Sequence, residues 1–109
     1  MLSSIRSVEV RTSERVAEIS WFNDIIGGDT EYLGVLDEAR RSTFDHCRDI
    51  TLAAEQLGFT NLLLPTAFTV GQEVLTFASA MAPQTNTINF LTAIRCGEYY
   101  PPMLARAIA

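Results

Sequence analysis

Among the ionisable side chains of this sequence, Arg95 has the sharpest chemical context. It directly follows Ile88-Asn-Phe-Leu-Thr-Ala93-Ile94, a β-prone apolar run. A cation at the end of a buried strand needs a partner. That partner is either an anionic group of a substrate or the carboxylate of Glu98, three residues further on. The other reactive residues have plainer readings. His46 lies among Asp45, Arg48 and Asp49, as a residue on a solvated helix surface does. Asp24, Asp29 and Glu31 share a stretch with Gly27 and Gly28, where short carboxylates form turns. Cys47 and Cys96 have neither CxxC nor metal-ligand spacing, and no export signal is visible, so both read as reduced thiols.

The elements that must position Arg95 are legible from apolar spacing. Asn61-Leu-Leu-Leu-Pro65 is a short uncharged run, expected to meet apolar neighbours on both faces as a buried parallel strand does. Pro65 ends it. Val16 to Phe22 and Ile88 to Ala93 are the other strand candidates, and the strands are placed near 18–22, 61–65 and 88–93. In the first, Ile19 and Trp21 share a face. Phe44, Cys47, Ile50, Ala54 and Leu57 recur every three or four residues, which predicts a helix near 43–57 with Ser42 as N-cap and Gly58 as the C-terminal stop. Val74, Phe77, Ala78 and Met81 predict a second helix near 71–82, opened by a Thr69-x-x-Gln72 capping pattern. A third begins at Pro101. Residues 1–17 read as a loose extension, and Tyr32-Leu33 as an anchor inside the long first loop.

Composition narrows the function classes. The chain has 109 residues, a net charge of −5, 48% hydrophobic and 19% charged residues. That composition fills a core. It carries no basic cluster longer than Arg40-Arg41, which argues against nucleic acid and anionic membranes as partners. No apolar run approaches membrane-helix length, and a cytoplasmic location is expected.

Alternating strands and helices imply an α/β fold with a parallel sheet. The connections leaving strand C-termini, 23–42, 66–70 and 94–100, are longer than those leaving helices, 58–60 and 83–87. Function in α/β folds collects at that carboxyl side. Gly27-Gly28 lacks the dinucleotide-binding spacing and there is no Walker loop. The remaining architecture is the (β/α)8 TIM barrel, which takes roughly 250 residues. The expectation is an incomplete, N-terminal set of barrel units over 18–109.

Several motifs then fall in one order. They are Trp21-Phe22, Glu31-Tyr32-Leu33-Gly34, Ala53-Ala54-Glu-Gln-Leu57-Gly58-Phe59-Thr60, Leu64-Pro65-Thr66, Ala78-Ser79-Ala80-Met81-Ala82-Pro83 and Asn89-Phe90-Leu91-Thr92-Ala93-Ile94-Arg95. In these the chain resembles the N-terminal part of the bacterial luciferase-like flavin-dependent monooxygenases, and within them the alkanesulfonate monooxygenase branch. The resemblance implies reduced FMN and O2 as cosubstrates, a separate NAD(P)H-dependent flavin reductase, a homo-oligomer when complete, and a small organic substrate. An alkanesulfonate would be cleaved to aldehyde and sulfite. It implies flavin contacts from Phe22, Thr66, Ala93 and Ile94 and a substrate contact from Arg95. It also implies a distorted peptide at Ala93–Ile94 in the complete, flavin-loaded protein. No catalytic or metal-binding residue is assigned, because the family's catalytic and phosphate-binding residues fall later in its chains.

The sequence departs from that branch at Val70, where the branch has a cysteine, and at Gly71-Gln72, where it has an acidic pair. It departs again at Cys96, where it has a proline. Two other readings stand beside this one. One is a non-catalytic remnant or interaction fragment, and the other a deazaflavin-dependent oxidoreductase of the same superfamily. The 109-residue chain by itself is expected to be inactive and to bind FMN weakly or not at all.

Overall fold

The computed structural model describes residues 18–28, 34–35, 37–68 and 71–109. The N-terminal extension 1–17, the Tyr32-Leu33 anchor and the Thr69 cap lie outside the described residues. Three strands, β1 (Ser20–Phe22), β2 (Asn61–Leu64) and β3 (Asn89–Thr92), form one sheet in the order β1-β2-β3. Both pairings are parallel, with Trp21 beside Leu62 and Leu62 beside Phe90. Parallel neighbours need crossovers. Helix α1 (Phe44–Gln56) supplies the first and α2 (Val74–Met81) the second, while α3 (Pro101–Ile108) follows β3. The expected α/β alternation and the three adjacent parallel strands are therefore present.

The helix boundaries show how local chemistry chooses among neighbouring caps. Thr43, not Ser42, caps α1, its hydroxyl accepting from the His46 N–H. Ser42 is drawn away because its hydroxyl donates to the Asp24 carbonyl. At the other end Gly58 takes φ +86°, while its N–H reaches the Glu55 carbonyl and the Phe59 N–H reaches that of Ala54. These two bonds are the Schellman arrangement, which requires a left-handed residue and favours glycine. Helix α2 is capped by Glu73, whose carboxylate accepts from the N–H groups of Leu75 and Thr76 at 3.1 and 2.7 Å. Its start is thus later than the Thr69-x-x-Gln72 pattern placed it.

The core lies between the sheet and the helices. Leu62 and Leu64 point into it and meet Ile25, Cys47, Ala54, Val74, Phe77, Met81 and Ile88. The opposite sheet face carries the row Phe22–Leu63–Leu91, which is 51%, 39% and 50% exposed. The expectation that both faces of the Leu run meet apolar neighbours is corrected here. The period-2 alternation buries Leu62 and Leu64, and no layer among the described residues covers Leu63. This bare apolar face is the one that turns inward when such a sheet closes into a barrel. Leu57, assigned to the buried stripe of α1, is 78% exposed, and the buried line runs instead through Cys47, Thr51 and Ala54. Ile19 is likewise exposed, and Trp21 is half-exposed, its ring 5.4 Å from that of Phe59.

One carboxylate organises the α2–β3 connection. Glu55 Oε1 accepts from the N–H groups of Asn86, Thr87 and Ile88 at 2.7, 2.6 and 3.1 Å, and from the Thr87 hydroxyl at 3.1 Å. The amides of Thr87, Asn86 and Ile88 hold its pKa down to about 2 from 4.5. A carboxylate whose folded pKa is depressed stabilises fully above its unfolded value, and that stabilisation is lost as pH falls through the folded one. Glu55→Gln is therefore expected to speed amide exchange at Asn86–Ile88 at neutral pH. The gap from wild type should narrow between pH 4.5 and about 2. Equal exchange rates in both proteins at pH 7 would contradict this.

Candidate functional site

The carboxyl ends of the three strands converge on one surface. Directly after β1, Asn23 is fully buried and pins the strand end to α1. Its Nδ2 donates to the Cys47 carbonyl at 2.8 Å and to the Thr51 hydroxyl at 3.0 Å. The Thr51 proton is itself given to the Cys47 carbonyl at 2.8 Å, so Thr51 must accept from Asn23. The Asn23 Oδ1 is a buried acceptor without a partner among the described residues. Sequence reasoning passed over Asn23. The only available signal was a polar residue at the point where an apolar strand enters the core. Asp24 behaves as the turn-former expected, accepting from the N–H groups of Ile26 and Gly27.

The ends of β2 and β3 interlock. The Ala93 N–H donates to the Leu64 carbonyl at 3.0 Å, and the Thr66 hydroxyl donates to the Ala93 carbonyl. Arg95 Nη2 donates to the Thr66 carbonyl at 3.0 Å. The guanidinium carbon of Arg95 lies 3.7 Å from the centre of the Phe68 ring. Thr66, Ala93 and Arg95 are thus one cluster. Phe22 lies on the exposed sheet face in the row that includes Leu63 and Leu91. Ile94 differs: its side chain packs against the core, so any contact it makes with a ligand on the barrel face is through backbone. The Ala93–Ile94 peptide is trans, as are all peptides among the described residues. Of the two partners anticipated for the Arg95 side chain, the Glu98 carboxylate is not engaged, although the Glu98 N–H donates to the Arg95 carbonyl at 3.3 Å. Among the described residues Arg95 forms no ion pair.

The three loops brace one another. The Gln72 N–H donates to the Ile25 carbonyl at 3.0 Å, and its Nε2 reaches the Ser42 carbonyl at 3.0 Å and Cys47 Sγ at 3.3 Å. The Tyr99 hydroxyl donates to Glu73 Oε1 at 2.9 Å. That bond to a carboxylate raises the Tyr99 pKa. Burial works against the Glu73 anion, but the donors of Thr76, Leu75 and Tyr99 outweigh it and keep its pKa below the ordinary value. Between the loops opens a cleft of about 300 Å³ whose lining includes Ile26, Thr66, Gln72, Glu73, Glu98 and Tyr99. It mixes polar and apolar lining, shares Thr66 with the Arg95 cluster, and lies at the end of the sheet where α/β enzymes bind their ligands.

Residues 26–109 match the luciferase-like monooxygenase family. The chain is 53% identical over 93 residues to a sulfoquinovose monooxygenase of Agrobacterium fabrum, a match covering 85% of this chain and 24% of that protein. It is 45% identical over 97 residues to a sulfoquinovose monooxygenase of Novosphingobium aromaticivorans, covering 89% of this chain and 27% of that protein. The chain therefore spans about a quarter of the length of the curated relatives it matches. These relatives are named for sulfoquinovose, not for the alkanesulfonates of the branch inferred from motifs. With three parallel β/α units in sequential order and a family match running from Ile26 to the last residue, the chain belongs to the luciferase-like monooxygenases, whose fold is the TIM barrel.

Proposed function

We propose that the whole protein is a reduced-FMN-dependent monooxygenase that cleaves the carbon–sulfur bond of an organosulfonate, with sulfoquinovose as substrate. Sulfoquinovose is a hexose whose C6 carries a sulfonate. In the proposed reaction one atom of O2 becomes the aldehyde oxygen on that carbon and the other leaves as water. Sulfite departs and the flavin is oxidised. A separate NAD(P)H-dependent reductase supplies the reduced FMN, and the protein acts as a homo-oligomer.

The residues present suit a planar, largely apolar ring system. Phe22 gives an exposed aromatic edge, and the next strand ends carry only the small side chains of Thr66 and Ala93. The Thr66 hydroxyl is held on the Ala93 carbonyl, so both are fixed before a ligand arrives. We assign ring contacts to Phe22, Thr66 and Ala93 and a backbone contact to Ile94. The flavin supplies the reducing power and the oxygen chemistry. This chain's own residues shape the ring's seat and fix the substrate's charge.

The observation that carries the substrate class is Arg95, a partly buried cation with a carbonyl and an aromatic face as partners but, among the described residues, no carboxylate. An anionic substrate group completes it. The test is sulfite release by the whole protein, supplied with O2, a flavin reductase, NAD(P)H and FMN. Sulfoquinovose is expected to give sulfite with a higher kcat/KM than octanesulfonate. Saturation with reduced FMN and no sulfite from either compound would overturn the reading. Saturation by a reduced deazaflavin in place of FMN would move the cofactor assignment.

A further inference from the structure

Phe68 is 87% exposed, more than any other large hydrophobic side chain among the described residues. Burial therefore contributes little to holding it in place. Its contact is the Arg95 guanidinium, stacked on the ring at 3.7 Å. The ring lies against the guanidinium and limits its swing on that side. The bond from Nη2 to the Thr66 carbonyl sets its rotation within the plane. A guanidinium has five N–H donors in a rigid fork. With one anchored and the face covered, the remaining donors are presented along a fixed edge, which is the geometry that binds an oxyanion through two parallel bonds.

We infer that Phe68 is a positioning residue for substrate recognition: its ring holds the Arg95 fork in the orientation that grips the sulfonate group. The inference rests on the organosulfonate reading above. Arg95 is the binding residue and Phe68 acts through it. A leucine at position 68 preserves apolar bulk but has no π face, whereas a tryptophan keeps the face and strengthens the stack.

The experiment uses the whole protein and the variants Phe68→Leu, Phe68→Trp, Arg95→Met and the double variant Phe68→Leu/Arg95→Met. Three quantities are read: KM and kcat for sulfite release from sulfoquinovose, the Kd of reduced FMN, and calorimetric binding of methanesulfonate. Phe68→Leu is expected to raise KM and the methanesulfonate Kd about three- to tenfold, with kcat and FMN affinity unchanged. Phe68→Trp should restore wild-type values. The double variant should be no worse than Arg95→Met alone, because the ring works only through the guanidinium. An unchanged KM in Phe68→Leu, or additive losses in the double variant, would overturn the inference while leaving the sulfonate reading intact. Methanesulfonate binding that depends on both residues, in a protein that releases no sulfite from sulfoquinovose, would uphold the anion cradle and overturn that substrate. Neither binding nor turnover would overturn both.

Discussion

Asn23→Asp is expected to destabilise the fold by about 3–5 kcal/mol at neutral pH, the cost of an uncompensated buried charge. Asn23 is fully buried, and its amide donates to two acceptors, the Cys47 carbonyl and the Thr51 hydroxyl. A carboxylate in that place removes the donor and sets an anion against the Cys47 carbonyl oxygen. Burial and this carbonyl both disfavour the charged form, so the introduced group's pKa rises above its unfolded value of about 3.9. The sign follows by linkage. The penalty is absent below the unfolded pKa, grows as pH rises, and is complete above the folded pKa. Denaturant unfolding of wild type and variant across pH 3–8 measures it. A gap that stays constant over that range would mean that lost hydrogen bonds, not charge, set the cost. On the proposed reading, in which Phe22 contacts the flavin, the same variant of the whole protein should weaken reduced-FMN binding as the end of β1 loosens.

Gly71→Ala is expected to cost about 1–3 kcal/mol through steric overpacking alone. A Cβ at Gly71 would lie 2.7 Å from Ile26 Cα and 3.0 Å from Ile26 Cβ and Cγ2. The nearest of these atoms belongs to the main chain, and no rotamer change can move it aside, so one loop must shift away from the other. The move would strain the neighbouring Gln72 bonds to the Ile25 and Ser42 carbonyls. It would also open the cleft that Ile26, Gly71, Gln72 and Thr66 line together. The expected result is a lower melting temperature, faster amide exchange at Gln72 and, for the whole protein on the proposed reading, reduced kcat/KM for sulfite release. Wild-type stability and wild-type exchange at Gln72 would show that the two loops do not press on each other in solution.

The glycine at 71 illustrates why some of the site was illegible in the sequence. A residue kept small because another loop lies against it has no local signature, since Ile26 is 45 positions away in the chain. The same holds for Glu55, whose bonds to Asn86–Ile88 span more than thirty residues. It holds again for Asn23 with Cys47 and Thr51. Gln72 looked like half of a capping box and instead ties the second loop to the first.

By itself the sequence determined the features governed by short-range chemistry. Apolar spacing marked three strands and two helices in their order, Pro101 marked the start of the third helix, Gly58 marked the end of α1, and the motif series from Trp21 to Arg95 marked the family. Each depends on residues within a few positions of one another, or on spacing that any fold must respect. The tertiary structure alone decided the rest. It chose Thr43 as the cap of α1 because Ser42 had a better partner elsewhere, and it capped α2 with Glu73, later than the Thr69-x-x-Gln72 pattern had placed the start. It left Leu63 on an open sheet face and turned Ile94 into the core, which a one-residue change of strand parity would have reversed. It gave Arg95 a carbonyl and a phenyl ring in place of Glu98, because long-range closure of the loops, not proximity in sequence, decides which groups come within reach of a side chain.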